Sequence, residues 1–181
     1  MGPFNGSEGY RTLPVPDLSL EAEGLEIICA ATTLQRHVIS ILGIIREQET
    51  TSRTDFFPAY LHWALTGLSQ IFASPEWQYV DCPLPSMDKE LVWREARHVM
   101  EYTEQCLDQT NIGVAWFIVM IDSVGYEMKA EEDRKRVLQI LKCIRSRGFG
   151  LVDSVEKEMV TFWAKDDWQA LQAQASALVS S

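Results

Sequence analysis

The sequence predicts an all-α fold, an irregular bundle of about six or seven helices in largely antiparallel pairs. Three observations carry that prediction. Apolar residues recur at three- and four-residue spacing through most of the chain from Glu21 onward, which gathers them on one side of a helix. Pro, Gly and Asn clusters interrupt the periodic segments where helices stop. Charges sit where a helix dipole favours them, with Glu131, Glu132 and Asp133 opening one segment and Lys142, Arg145 and Arg147 closing it.

Residues 1–20 are rich in Gly, Pro and Ser and lack periodicity, so they read as a flexible leader; residues 21–181 read as one helical domain. The first helix places Leu25, Ile28, Cys29, Val38, Ile41, Leu42 and Ile45 near one face. It also carries Ile27, Ile39 and Ile44, more apolar positions than one stripe can bury, and some of them are expected at the surface. Glu47 to Thr54 is a polar break, with Thr54 or Asp55 able to cap the next helix. That second helix has Phe57, Tyr60, Leu61, Ala64, Leu65, Leu68 and Phe72 in helical series. Pro58 fits its first turn, where the missing N–H has no partner to lose.

Ser74 to Ser86, with Pro75, Pro83 and Pro85, reads as an ordered loop. A third helix from about Asp88 buries Val92, Ala96, Val99, Met100, Thr103, Cys106 and Leu107. Asn111-Ile112-Gly113 breaks it. Ile112 to Ile121 is apolar on every side, and periodicity alone leaves helix and buried strand open; no partner strand is in sight. A fifth helix buries Val137, Leu138, Leu141 and Ile144 and ends at Gly148, suited to the left-handed position after a helix. A sixth buries Val152, Val155, Met159 and Phe162 or Trp163. A tail follows with Trp168, Leu171, Ala175 and Leu178 on one face.

The stretch from Ala115-Trp116-Phe117-Ile118-Val119 through Asp122-Ser123-Val124-Gly125, Glu132-Asp133-Arg134 and Arg147-Gly148-Phe149-Gly150 to Trp163 is the most informative in the chain. In order and spacing it resembles the C-terminal part of the helical regulatory region of fungal-specific transcription factors, the family that usually begins with a binuclear zinc cluster. The likeness is clearest over these residues and extends more weakly back to about Phe56, with Trp93 to Leu107 similar to the family's preceding helix. It favours a helix for Ile112 to Ile121, read as a central core helix; because that segment alone is apolar on every side, Trp116 is expected to be nearly fully buried and central. The likeness also implies a regulatory role in transcription, a nuclear location (with the cytoplasm as the alternative), and a domain that modulates activity rather than reads DNA.

The chain departs from that family where DNA binding would lie. A binuclear zinc cluster takes six closely spaced thiolates, whereas Cys29, Cys82, Cys106 and Cys143 are few and far apart. No zinc site and no cofactor are expected. The formal charge of −10, from 16 basic and 26 acidic residues, argues against phosphate binding. Arg134-Lys135-Arg136, the one compact basic run, reads as a solvated helix face. No membrane span is expected, because Val114 to Ile121 falls short of the roughly 20 residues needed.

Catalysis finds few candidates. His37, His62 and His98 lack metal-pair spacing, and His62 and His98 read as structural residues beside apolar faces. Glu101 and Glu104 have a spacing common on solvated helix surfaces, and Ser123 lacks the glycines of a nucleophile elbow. The chain therefore reads as a non-enzyme.

Six tryptophans are the better clue. Trp63, Trp116 and Trp163 read as core packing, with a small-molecule effector pocket as the alternative. Trp168, beside Asp166 and Asp167, reads either as part of a packed terminal helix or as an aromatic contact for a partner. Ile41 and Ile44 on the first helix are candidate contacts for a protein partner or for self-association. The function expected is a regulatory or interaction domain without its own DNA-binding head. The rival is a stand-alone helical ligand-binding protein or enzyme of fungal secondary metabolism.

Overall fold

The computed structural model describes residues 18–47, 56–85, 87–109 and 114–179. Among them lie six α-helices, one short 3-10 helix and no strand. The helices are α1 (Leu18–Glu47), α2 (Phe56–Phe72), α3 (Lys89–Gln109), α4 (Val114–Gly125), α5 (Glu131–Ser146) and α6 (Val152–Val179), with the 3-10 turn at Pro75–Tyr79. The all-helical prediction holds, and the apolar segment after residue 113 is a helix. Most of the expected leader, the caps Thr54 and Asp55, and the break at residues 111–113 lie outside the described residues. Residues 18–20 belong to α1, so the helical part starts earlier than Glu21.

The pair α2 and α3 is the most extensive contact, and α3 also packs on α4 and α5. Asp88 Oδ1 accepts the Leu91 backbone N–H at 2.8 Å and so satisfies one of the orphan donors at the start of α3. Every residue of its expected stripe is buried, including Thr103. α2 is rotated from its expected stripe. Leu61, Leu65 and Phe72 are inside, but so are His62, Thr66 and Ser69, while Phe57 and Tyr60 face outward. A helix with neighbours on several sides buries more than its most apolar face, and here α1, α3 and α4 all touch α2.

α4 corrects the expectation for Trp116. The helix buries Val114, Phe117, Ile118, Met120, Ile121 and Val124. Trp116 is 61% exposed and Val119 50%. An apolar run does not enforce burial on all sides: successive residues turn by about 100°, and α4 has neighbours only on the side of Phe117 and Ile121. Trp116 falls on the other side.

Residues 126–130 return the chain from α4 to α5, and residues 147–151 return it from α5 to α6. Gly148 takes a φ of 92° and accomplishes the second reversal, because left-handed backbone carries little penalty without a Cβ. Val137, Ile140, Leu141 and Ile144 line the inner side of α5. α6 and the tail form one continuous helix. Its inner face carries Val152, Val155, Met159 and Trp163, with Phe162 outward. Gly125 lets α6 close on α4. A Cβ there would stand 2.4 Å from Met159 Cε, and Trp163 Nε1 donates to the Gly125 carbonyl at 3.0 Å.

α1 is set apart from this body. It lies on α2 and on the segment after the 3-10 turn, through Ile28, Ala31, Val38 and Leu42. Gln35 Nε2 adds a bond to the Pro85 carbonyl at 3.3 Å. Leu25, Cys29 and Ile41, expected on its buried stripe, are exposed, because only one flank of α1 meets a neighbour.

Candidate functional site

Two places in the molecule hold side chains that the packing of the fold does not by itself explain. The first is the outer face of α1. Ile27, Ala30, Leu34, His37, Ile41 and Ile44 are all exposed, and they step along the helix by three and four residues in strict alternation. That is the spacing of a helix–helix seam. Ile27 is 52% exposed, Leu34 49% and Ile44 51%. The buried residues Ile28, Ala31, Val38 and Leu42 lie on the neighbouring flank, so α1 carries two apolar stripes and uses one. Arg36 falls outside both, while Arg46 follows Leu42 by one turn on the bundle-facing flank, where its charge acts on His62.

The expectation that no segment could span a membrane needs correction here. Ala22–Glu47 is long and apolar enough by length and composition, with mean hydropathy 1.5 over its best stretch. Thr32-Thr33, Gln35-Arg36-His37 and Ser40 break the apolar run without lowering its average much. Only 22% of that stretch is buried inside the fold.

The second place is a buried polar cluster between α2 and α3. His62 and Glu95 are each 3% exposed, and His62 Nδ1–H donates to Glu95 Oε2 at 2.5 Å. Arg94 lies 3.4 Å from the other carboxylate oxygen. The His62 ring lies between His98, at 4.8 Å between centroids, and Tyr102, at 5.7 Å. Burial pushes the His62 imidazole below its ordinary value of 6.5, against the pull of the Glu95 carboxylate. Burial pulls the Glu95 carboxyl upward, but the His62 hydrogen bond, with smaller electrostatic help that includes the Arg94 guanidinium, carries it below its ordinary 4.5. A neutral imidazole thus donates to an ionised carboxylate. The pair is closed to solvent, which fits a satisfied structural histidine better than a catalytic base. Glu95 went unnoticed in the sequence, because only the fold brings it to His62.

The remaining candidates scatter. Trp63 is half-buried against the main core, with Tyr60 5.6 Å away between ring centroids. Trp163 is buried at 5%, with the Arg134 guanidinium 5.4 Å from its ring centroid. Trp116 and Trp168 are exposed on different helices. Asp166 and Asp167 do not form a free acidic stretch around Trp168. Lys129 donates to Asp166 at 2.8 Å and Arg134 to Asp167 at 2.7 Å, and the Arg134 bond holds the Asp167 carboxyl below its usual range. Two depressions flank the bundle, one of about 530 Å³ beside Leu91, Trp93, Arg94 and Arg97 and one of about 410 Å³ along α6. Trp63, Trp116, Trp163 and Trp168 line neither, so neither is the tryptophan-lined effector pocket expected.

Each residue of the basic run is paired within the chain, Lys135 at the solvated surface. Arg134 is held by Asp167, Lys135 meets Glu131 at 2.6 Å, and Arg136 forks onto Glu104 at 2.7 and 2.5 Å. Arg97 is likewise committed, bidentate to the buried Asp133. Among the described residues, no group of three or more His, Cys, Asp or Glu could hold a metal ion. No family model, no curated protein and no solved structure matches the chain.

Proposed function

We propose that the chain is a helical interaction domain of the transcription-regulator type, acting in the nucleus without a DNA-binding head of its own and engaging a partner helix through the outer face of α1. The observation that carries this reading is the unused seam from Ile27 to Ile44. Exposed apolar residues are common singly, but five in register with His37 on one face of one helix form a contiguous patch of the kind that marks an interaction surface. The motif order from Val114 to Trp163 and its likeness to fungal regulatory regions supply the biological setting. The internal pairing of Arg134, Lys135 and Arg136 agrees with a domain that leaves DNA to another module.

A helix partner suits α1 better than a bilayer. Arg36 sits in the middle of the apolar stretch, and a charged residue at the centre of a spanning helix costs about 2.5–3.5 kcal/mol. Against a partner helix, Arg36 stays in water beside the seam. The test is a reporter assay with the chain fused to an unrelated DNA-binding domain. Transcription should change relative to that DNA-binding domain alone, and Ile41→Lys with Ile44→Lys should abolish the change while the melting temperature holds. A fusion with no effect on the reporter overturns the reading.

A further inference from the structure

We propose that the helix received by α1 is α1 of a second copy, packed antiparallel, so that the chain forms a two-fold dimer. This rests on the reading of α1 as a docking helix and names its occupant. Three features of the seam select that partner and that direction.

The first is charge. The N-terminal half of α1 carries Glu23 and Glu26, and the C-terminal half carries Arg36 and Arg46, with Glu47 as the exception at its end. An antiparallel pair separates Glu23 and Glu26 of one copy from those of the other, whereas a parallel pair sets them against each other; Arg36 lies at the centre in either direction. The helix dipoles favour the same arrangement.

The second is shape. The midpoint of the seam falls between Leu34 and His37. Antiparallel pairing about that point seats Ile27 on Ile44, Ala30 on Ile41 and Leu34 on His37. The small residue meets a large one, and each imidazole lies against a leucine. Parallel pairing would set Ala30 on Ala30, leaving a gap, and His37 on His37, bringing two polar rings together inside the seam. A two-fold interface requires each patch to fit itself, and this one does so in one direction only.

The third is the separation of the two stripes. Ile28, Ala31, Val38 and Leu42 hold α1 to its own bundle, so docking requires no unfolding and no exchange of α1 between copies. From Ile27 to Ile44 the seam runs about 26 Å. One helix pair of that length lies at the small end of stable interfaces, which start near about 1,200 Å², so a dimer that dissociates at about micromolar concentration is expected.

The experiment combines light scattering with directed cross-linking on the full chain, with Cys29→Ser to silence the exposed native thiol. The expected mass is that of a dimer at about 100 μM, falling to a monomer on dilution. Leu34→Lys or Ile41→Lys should give a monomer at every concentration with helicity unchanged. Ile39→Lys, which removes an equally exposed isoleucine off the seam, should leave the dimer intact. A mixture of Ile27→Cys and Ile44→Cys chains should form a disulfide between copies on mild oxidation, and Ile27→Cys alone should not. A monomer at all concentrations overturns the proposal, as does an Ile27→Cys homodimer, which reports parallel pairing. So does co-sedimentation of a solution monomer with phosphatidylcholine vesicles, which would assign the seam to lipid. A monomer that still alters the reporter would remove self-pairing and leave the regulatory reading standing.

Discussion

α4 and α1 are the two most apolar-looking stretches of the chain, and the fold treats them differently. α4 is short and sends most of its side chains inward, against α2, α3, α5 and α6. α1 is 30 residues long and buries little besides Ile28, Ala31, Val38 and Leu42. Both leave large apolar residues outside: Trp116 and Val119 on α4, and Ile27, Leu34, Ile39, Ile41 and Ile44 on α1. Apolar content therefore does not set burial. The number of neighbouring elements does, and α4 has several where α1 has one flank covered.

If α4 is the structural centre and α1 an outlying helix, substitutions should separate them by stability. The largest effect is expected at Phe117, 1% exposed and 5.5 Å from the Phe56 ring between centroids. Phe117→Ala should cost about 3–5 kcal/mol in denaturant unfolding. A loss under about 1 kcal/mol would break the comparison, because α4 would then not anchor the fold.

Gly125→Ala tests the closure of α6 on α4. The new methyl would meet Met159 Cε and Sδ at 2.4 and 2.5 Å. Met159 is fully buried, so its flexible end has to shift within the packed core. A cost of about 1–3 kcal/mol is expected, as for other overpacked sites. Unchanged stability would mean that the α4–α6 junction yields easily.

The His62–Glu95 pair should give the body, rather than α1, an acid-sensitive stability. Both groups have folded values below their ordinary ones, so the unfolded chain takes up protons first as pH falls. Stability should be fullest above pH 6.5, decline below it as unfolded His62 protonates, and decline again below 4.5 on account of Glu95. Asp122 acts in the opposite sense, since burial raises its carboxyl despite the Tyr126 hydrogen bond. His62→Gln keeps a donor for Glu95 and should remove the first decline, at a cost of about 1 kcal/mol at neutral pH. Melting curves between pH 5 and 8 decide this; an unaltered slope in the variant would show that His62 is not the group responsible.

The smallest effects belong to the outward residues. Trp116→Ala should cost less than about 1 kcal/mol, and Ile44→Lys at submicromolar concentration should stay within about 0.5 kcal/mol of the parent. A large loss at Ile44 would mean that α1 is held by contacts along its outer face.

The candidate seam was half legible. Ile41 and Ile44 stood out because the first helix holds more isoleucine than one stripe accommodates. The regular steps through Ala30, Leu34 and His37 were present in the sequence too. They were hidden because two adjacent stripes on one helix merge into a single apolar reading until the structure shows which one is covered. The Trp163–Gly125 and His62–Glu95 contacts join residues far apart in the chain, and no local pattern announces them.

By itself the sequence determined the helical class, the whole buried stripe of α3, the acidic start of α5 and the reversal at Gly148. Each of these depends on interactions within a few residues: side-chain spacing, the helix dipole, and the backbone freedom of glycine. Only the tertiary structure decided that Trp116 points outward, that α2 turns His62 toward α3, that Asp167 is claimed by Arg134, and that one stripe of α1 is left uncovered. Burial and ion pairing are settled by which elements arrive beside a residue, and that depends on how the whole chain packs.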